Sequence, residues 1–261
     1  MHGRYIGFVD SDDYIEETMY EKLVSLLITT KADIVACTHD LVGNVSYTPD
    51  VCNKAKLYNS EQFMRLYVQN SEKFSPSIWQ RIYKREIIKG ISFEEGRKNE
   101  DILWSAKAII EANSIAYLDS VLYHYRIRDD SLSDNGLGRR RIVTESTITD
   151  QIGAYIQLEI LLTEKCKYKY ADNLKMVYLP IVFNAYCSIK YYHIGELEPY
   201  LLRLDNIWES NRNWIKKNIT RFKGRNRIVL LLASMPKIIY VSIWNVRQRL
   251  EVILRRIHVI N

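Results

Sequence analysis

Three carboxylates fall within four residues at Asp10-Ser11-Asp12-Asp13. At that spacing their mutual repulsion has to be offset by a cation, a cationic side chain or protonation. Oxygen ligands on a loop suit Mg²⁺ or Mn²⁺, which complete their shells with water and substrate phosphates. An acidic turn that only caps the following helix would have the same composition. A second acidic pair, Glu100-Asp101, opens a run of helical periodicity. A carboxylate there could act as a general base toward a hydroxyl, or simply complement the helix dipole. A third segment, Tyr123-His124-Tyr125-Arg126-Ile127-Arg128-Asp129-Asp130-Ser131, mixes aromatic and basic residues. It can offer a cationic face to phosphate and a flat face to a sugar or base. Solvated charges on a surface strand would read alike, and His124 alone is as readily hydrogen-bonded structure as a ligand.

The elements around these residues follow from local pattern. Residues 4–9 are an apolar, β-branched and aromatic run that breaks into the acidic turn, so a strand ending in carboxylates is expected. Glu16 to Thr30 carries Met19, Leu23, Leu26 and Leu27 at helical spacing. Asp33–Thr38 reads as a buried strand, with Leu41–Tyr47 as its hairpin partner across a His39-Asp40 turn. A helix begins near Ser60, while Ser77–Ile88 is compatible with strand or helix. Asn99 is the expected N-cap of a helix over Ile102–Ala112. Ser114–Leu118 and Val121–Ile127 alternate like two short strands. Strand and helix succeed one another in the rhythm of an α/β sheet. After Asp134-Asn135-Gly136-Leu137-Gly138 the pattern changes, and 139–218 shows long helical periodicity without a strand.

Composition narrows the class. With 47% hydrophobic and 26% charged residues, and only 10 Gly and 5 Pro in 261 residues, the chain can bury a sizeable core. Cys37, Cys52, Cys166 and Cys187 are far apart and form no C-x-x-C pair, so reduced thiols are expected rather than a zinc ribbon or a disulfide scaffold. Met1 leads straight into the strand-like run rather than into a secretory signal, which points to the reducing cytoplasm. The net charge of +6 resides in the tail, where residues 221–261 hold nine Lys/Arg against Glu251. Within it, 228–244 is mostly apolar but contains Pro236 and Lys237, and it falls short of the ~20 apolar residues of a spanning helix. It reads as an amphipathic element lying on an anionic membrane surface, or as a helix packed on the body. Nucleic acid is not expected as a partner, because the basic residues do not interleave with aromatics on a folded face.

The order of these segments resembles family 2 glycosyltransferases of the GT-A fold. Gly3 to Ile15 is similar to that family's metal-binding strand, and Trp79-Gln80-Arg81-Ile82-Tyr83-Lys84-Arg85 to its Trp-x-Lys-Leu-Tyr-Lys-Arg segment. Phe93, Glu100-Asp101-Ile102-Leu103-Trp104 and the run at 123–131 follow in the family's order. The resemblance implies an α/β fold: a partial GT-A-like, Rossmann-related sheet with helices, then a mainly α-helical C-terminal region. It divides the chain into a GT-A catalytic part over 1–138, a helical domain over 139–220 and a basic amphipathic tail over 221–261.

It also implies roles. Asp10 and Asp12 would contact the donor ribose and a Mn²⁺ or Mg²⁺ ion, with Asp13 in the same turn. Arg128 and Ser131 would lie near the donor pyrophosphate. Asp101 would be the catalytic base, with Glu100 beside it on the acceptor, and Trp79 would line the acceptor side. The expected reaction is inverting transfer from a nucleotide-sugar donor to a glycan or lipid-linked acceptor in cell-surface polysaccharide synthesis, at the inner face of the cell membrane. Family members carry a Ser-Val-Ile-Ile-Pro-Val-Tyr-Asn-like strand and a nucleotide pocket ahead of the Asp-x-Asp strand, whereas nine residues precede Asp10 here. The expectation is therefore an N-terminally truncated enzyme, inactive alone or completed by a separate nucleotide-binding subunit. The alternative is a non-catalytic scaffold that binds a membrane or partner proteins.

Overall fold

A short apolar strand, β1 (Tyr5–Gly7), carries the chain into the acidic turn. Gly7 is required there, because a Cβ at this position would sit 2.6 Å from the Tyr20 ring. After the two-residue strand β2 (Tyr14–Ile15), helix α1 (Met19–Thr30) buries Met19, Leu23 and Leu27 at helical spacing. This stripe packs on Val35, Cys37, Ile82, Ala116, Leu122 and Tyr123, the central core of the sheet. Each such side chain contributes roughly 1.5–3 kcal/mol of apolar burial.

The chain continues through β3 (Ile34–Gly43), β4 (Ala55–Asn59), α2 (Ser60–Tyr67), β5 (Arg81–Lys84), α3 (Arg85–Ile88), α4 (Glu100–Glu111) and β6 (Ser114–Ile127). The computed structural model describes residues 3–43, 46–69, 74–127, 143–165, 171–221 and single positions at 227, 231, 241–243, 245 and 246. Within these residues the sheet order is β1-β5-β3-β6-β2, with β4 also on β6. Strand β6 is the spine. It runs parallel to β3 along one edge, and its other edge pairs antiparallel first with β4 and then with β2. The α/β expectation is the architecture found.

Two local readings are corrected. No turn interrupts His39-Asp40. Strand β3 runs through both, and the reversal comes later, where Leu41 and Tyr47 exchange backbone hydrogen bonds. The two strands expected at 114–127 are one strand with a bulge, since Cys37 faces Leu118 while Thr38 faces Val121. The extra residues are fixed by Asp119, whose amide donates to Lys54 O (2.9 Å) and whose Oδ1 accepts from Thr38 Oγ1 (3.2 Å). Residues 77–88 resolve into a strand followed by a short helix. Asn59 caps α2 through a reciprocal pair with Gln62, at 2.8 and 3.0 Å. Asn99 does not cap α4 with its side chain, because it sits in the left-handed region at φ 60°.

The C-terminal part holds α5 (Ile152–Glu164), α6 (Ala171–Tyr192) and α7 (Leu201–Asn218). Two units are distinguished: Met1–Arg141 with Ala154–Leu174, and Ile142–Gly153 with Lys175–Asn261. In the second, Phe183 packs on Trp208 at 5.4 Å. Among the described residues no helix is long and apolar enough to cross a membrane. The amphipathic segment 228–244 falls almost wholly outside the described residues.

One ion pair pins the sheet together at its base. Asp33 Oδ1 accepts from Lys84 Nζ (2.7 Å), and Oδ2 accepts from the Asn113 and Ser114 amides at 2.8 and 3.4 Å, joining β3, β5 and the start of β6. Burial alone would raise the Asp33 carboxyl, but Lys84 and the two amides outweigh it and hold it below the usual carboxylate range. A depressed folded pKa means stability that is present above the unfolded value of about 3.9 and lost as pH falls through the folded one. Asp33→Asn is expected to lower unfolding stability by about 1–3 kcal/mol at pH 7. Urea denaturation across pH checks this: the gap from the unsubstituted chain should close in acid, and a gap independent of pH would assign the loss to packing instead.

Candidate functional site

The acidic turn is shaped by hydrogen bonds to β6. The Asp13 amide donates to Asp10 O (3.2 Å), closing the turn. Asp13 then turns away from its neighbours: Oδ2 accepts from the Tyr123 hydroxyl at 2.6 Å and Oδ1 from the Arg126 amide at 2.8 Å. The Tyr123 oxygen in turn accepts from the Asp10 amide at 3.2 Å. One phenol thus holds both ends of the turn. Burial, then the bond to Asp13, push the Tyr123 hydroxyl well above its ordinary range, so it stays a donor.

Behind this clamp lies Trp79. Its ring is 7% exposed and stacks on Tyr123 (4.1 Å, 21°) and Tyr125 (5.7 Å, 22°), with His39 against it edge-on at 4.9 Å. His124 is held between two carboxylates, Nδ1 to Asp40 Oδ1 at 2.7 Å and Nε2 to Glu16 Oε1 at 2.9 Å, with Tyr14 stacked on it at 4.5 Å. Both ring nitrogens are engaged, so His124 fixes the entry to α1 and the end of β3. Within the run, Tyr123 and the Arg126 amide brace the acidic turn, while the Arg126 side chain is exposed.

The second carboxylate cluster meets the first. Glu100 and Asp101 occupy the first turn of α4. The Asp10 carboxyl is pushed up by burial, then by the charges of Asp13, Asp12 and Glu100, so the turn and the helix start share one electrostatic environment. Strand and helix periodicity explain how. Phe8 lies two residues before Asp10 and Trp104 four after Glu100, and their rings touch at 5.3 Å. Phe93 stacks flat on Trp104 (5.1 Å, 6°) and meets Phe8 edge-on, while Tyr83 closes the cluster from below. This aromatic brace sets the end of β1 against the start of α4. Phe8 was given no role by sequence pattern, although the Phe8–Asp10 alternation carries one, and Tyr123 stood out only as part of a flat face, not as the clamp of the turn.

Asp101 is partly exposed, and burial first, then the Glu100 charge, push its carboxyl up to about 6. A group poised there exchanges protons near neutrality. Among the described residues no three His, Cys, Asp or Glu side chains gather into a ready metal cage. Asp13 is engaged by Tyr123 and Arg126, and Asp10 and Asp12 are of the ligand type that suits a hard cation taking its other ligands from phosphate and water. Arg128 and Ser131 lie outside the described residues.

Residues 1–92 match the model of glycosyl transferase family 2. The chain is 26% identical over 210 residues to the uncharacterized glycosyltransferase YibD of Escherichia coli, covering 77% of this chain and 58% of YibD. It is 24% identical over 265 residues to the chondroitin synthase of Pasteurella multocida, covering 88% of this chain and 26% of the synthase. The chain therefore spans less than two thirds of these curated relatives. Among solved structures, Staphylococcus aureus TarS 1–349 in complex with UDP-GlcNAc superposes with a TM-score of 0.61 at 17% identity, covering 96% of this chain and 69% of TarS. The GT-A-like fold expected of a family 2 glycosyltransferase is the fold found.

The Tyr123 clamp is testable apart from catalysis. A hydrogen bond to a charged group contributes about 1.5–3 kcal/mol. Tyr123→Phe keeps the ring stacked on Trp79 and removes only the hydroxyl. Amide exchange at residues 10–13 should accelerate about ten-fold or more while exchange in α1 stays unchanged; equal protection in both proteins would show that the turn is held by other contacts.

Proposed function

We propose that this chain is the catalytic part of an inverting glycosyltransferase that moves a sugar from a nucleoside-diphosphate donor to a saccharide acceptor in polysaccharide synthesis. The observation that supports the reading is the Phe8–Trp104 ring contact at 5.3 Å, which sets the chain just before the acidic turn against the helix that begins with Glu100 and Asp101. The likeness to TarS, whose structure holds UDP-GlcNAc, and to chondroitin synthase supports the choice of donor and product class.

In this reading Asp10 and Asp12 hold Mn²⁺ or Mg²⁺ with the donor diphosphate. When bound, the cation supplies charge stabilisation to the leaving phosphate oxygens. Asp10 also reaches the donor ribose, and Arg128 and Ser131 complete the pyrophosphate contacts. Glu100 orients the acceptor hydroxyl, while Trp79 supports the acceptor side from beneath Tyr123 and Tyr125. Asp101 takes the hydroxyl proton as the acceptor oxygen bonds to the anomeric carbon. The bond from that carbon to the diphosphate oxygen breaks on the opposite face, so one displacement inverts the centre. Brønsted logic favours a base whose pKa lies just under the working pH.

The sign of the pH dependence follows. Asp101 must be ionised to accept a proton, and its carboxyl, pushed up to about 6, is protonated below that value. Transfer should therefore rise with pH through about 6 and level off above it. Release of UDP from UDP-GlcNAc in the presence of a saccharide acceptor, followed against pH, measures this. Asp101→Asn should reduce kcat by about 10²–10⁴-fold with donor affinity retained. Asp12→Asn or chelation by EDTA should instead abolish donor binding, read by calorimetry. A chain that binds and turns over no nucleotide sugar with either cation would refute the proposal.

A further inference from the structure

We propose that Arg81 is the positioning residue of the Glu100-Asp101 pair, its buried guanidinium tying the start of α4 to the 75–77 segment and facing Asp101 with a fixed positive charge. The inference rests on the reading of Asp101 as the base. It goes beyond that reading by naming the residue that sets the base in place.

Arg81 opens β5 and is 0% exposed. Nη1 donates to Ser77 O at 2.6 Å and to Ser105 Oγ at 3.2 Å, and Nη2 donates to Ser75 O. Ser105 lies one helical turn beyond Asp101, and its hydroxyl donates to Pro76 O at 2.6 Å. The guanidinium therefore locks the first turns of α4 onto a segment remote in sequence. A second anchor acts on the same turn: the Tyr67 hydroxyl donates to Ile102 O at 2.6 Å, and Arg81 lies over the Tyr67 and Phe63 rings at 6.0 and 5.9 Å.

The charge of Arg81 is not spent within this network. All three of these partners are neutral oxygens, and among the described residues Nε has no partner. A buried cation in neutral company favours a nearby carboxylate in its ionised form. The groups that act on Asp101 are Glu100 and the Ile102 and Asp101 amides on α4, Arg81 and Tyr83 on β5, and Tyr67 on α2; the Ile102 amide and Arg81 both favour its ionised form. Burial pushes both phenols up, so they are neutral at working pH. Burial and Glu100 oppose ionisation of Asp101, and Arg81 favours it. Strand β5 thus supplies the positive charge that keeps a crowded carboxylate usable as a base. The same position is Lys in the family segment that 79–85 resembles, which preserves the charge and loses the fork.

The test is a carboxyl-carbon NMR titration of the full chain, with Asp101→Asn assigning the signal. The Asp101 midpoint should lie near 6 in the unsubstituted chain. It should change little in Arg81→Lys and move up by about one pH unit in Arg81→Met. At pH 6 a shift of that size lowers the ionised fraction, and with it kcat, about five-fold, with donor affinity unchanged and recovery at higher pH. A purely structural role would lower activity equally at every pH and would not be relieved by Lys. If Arg81→Met does not fold, the unsubstituted chain still decides: the Arg81 guanidinium nitrogen signals must titrate with the Asp101 midpoint. An unmoved midpoint in Arg81→Met, or guanidinium signals indifferent to it, overturns the proposal. A chain without transfer activity whose Asp101 midpoint still depends on Arg81 would overturn the reading of Asp101 as a base and leave the electrostatic pairing standing.

Discussion

The acidic turn keeps its shape because one phenol is shared between its two ends. Three carboxylates in four residues repel one another, and a loop free to relax would splay them into water. Tyr123 prevents this by donating to Asp13 while accepting from the Asp10 amide. The hydroxyl can do both only if the ring is fixed, and Trp79 stacked beneath it at 4.1 Å provides the fixing. The pairing of Tyr14 and Ile15 with His124 and Tyr123 continues the same contact into the sheet. Strand β6, bound on both edges, is therefore the rigid element against which the turn is placed.

The same residue type behaves in opposite ways at two places, and the difference separates structure from site. Asp33 is partnered by an ammonium and two amides, and its carboxyl is held down. Asp10 and Asp101 are crowded by other carboxylates and by burial, and theirs are held up. The first arrangement strengthens the fold. The second opposes it, since like charges are gathered where water is partly removed. Such an arrangement persists where a cation or a proton relieves it during function. Asp13 stands between the two cases: burial raises it, and bonds to Tyr123 and Arg126 offset part of that.

What the sequence disclosed follows from how local each signal is. The helical stripe of Met19, Leu23 and Leu27 and the start of α2 near Ser60 are set within a few residues, and both were readable. The motif order, through its resemblance to family 2 glycosyltransferases, singled out the acidic turn and the pair at the start of α4. Pairings that depend on distant strands were not readable. His39-Asp40 has turn-forming composition, yet Asp40 bonds His124 and His39 bonds Gln80, so tertiary contacts draw both into β3. Asp119-Ser120 looked like a break between strands, and a bulge absorbed it. Asn99 had a capping composition, but its left-handed backbone takes the side chain away from the helix start. Trp79 stacks on Tyr123 and Tyr125, a placement no local pattern encodes.

The site is built where two rigid elements end rather than on a loop between them. Strand β1 ends in the acidic turn and α4 begins with the carboxylate pair, and the Phe8–Trp104 contact fixes one against the other just behind the charges. Aromatic packing is insensitive to charge, so the brace can hold carboxylates close whose own electrostatics would drive them apart. The buried guanidinium of Arg81 gives α4 a second, polar anchor. A buried charge adds little net stability, but its directional bonds admit few alternative placements of the helix. Apolar packing thus sets the end of β1 against the start of α4, and the hydrogen-bonded network of Arg81 holds that helix to β5.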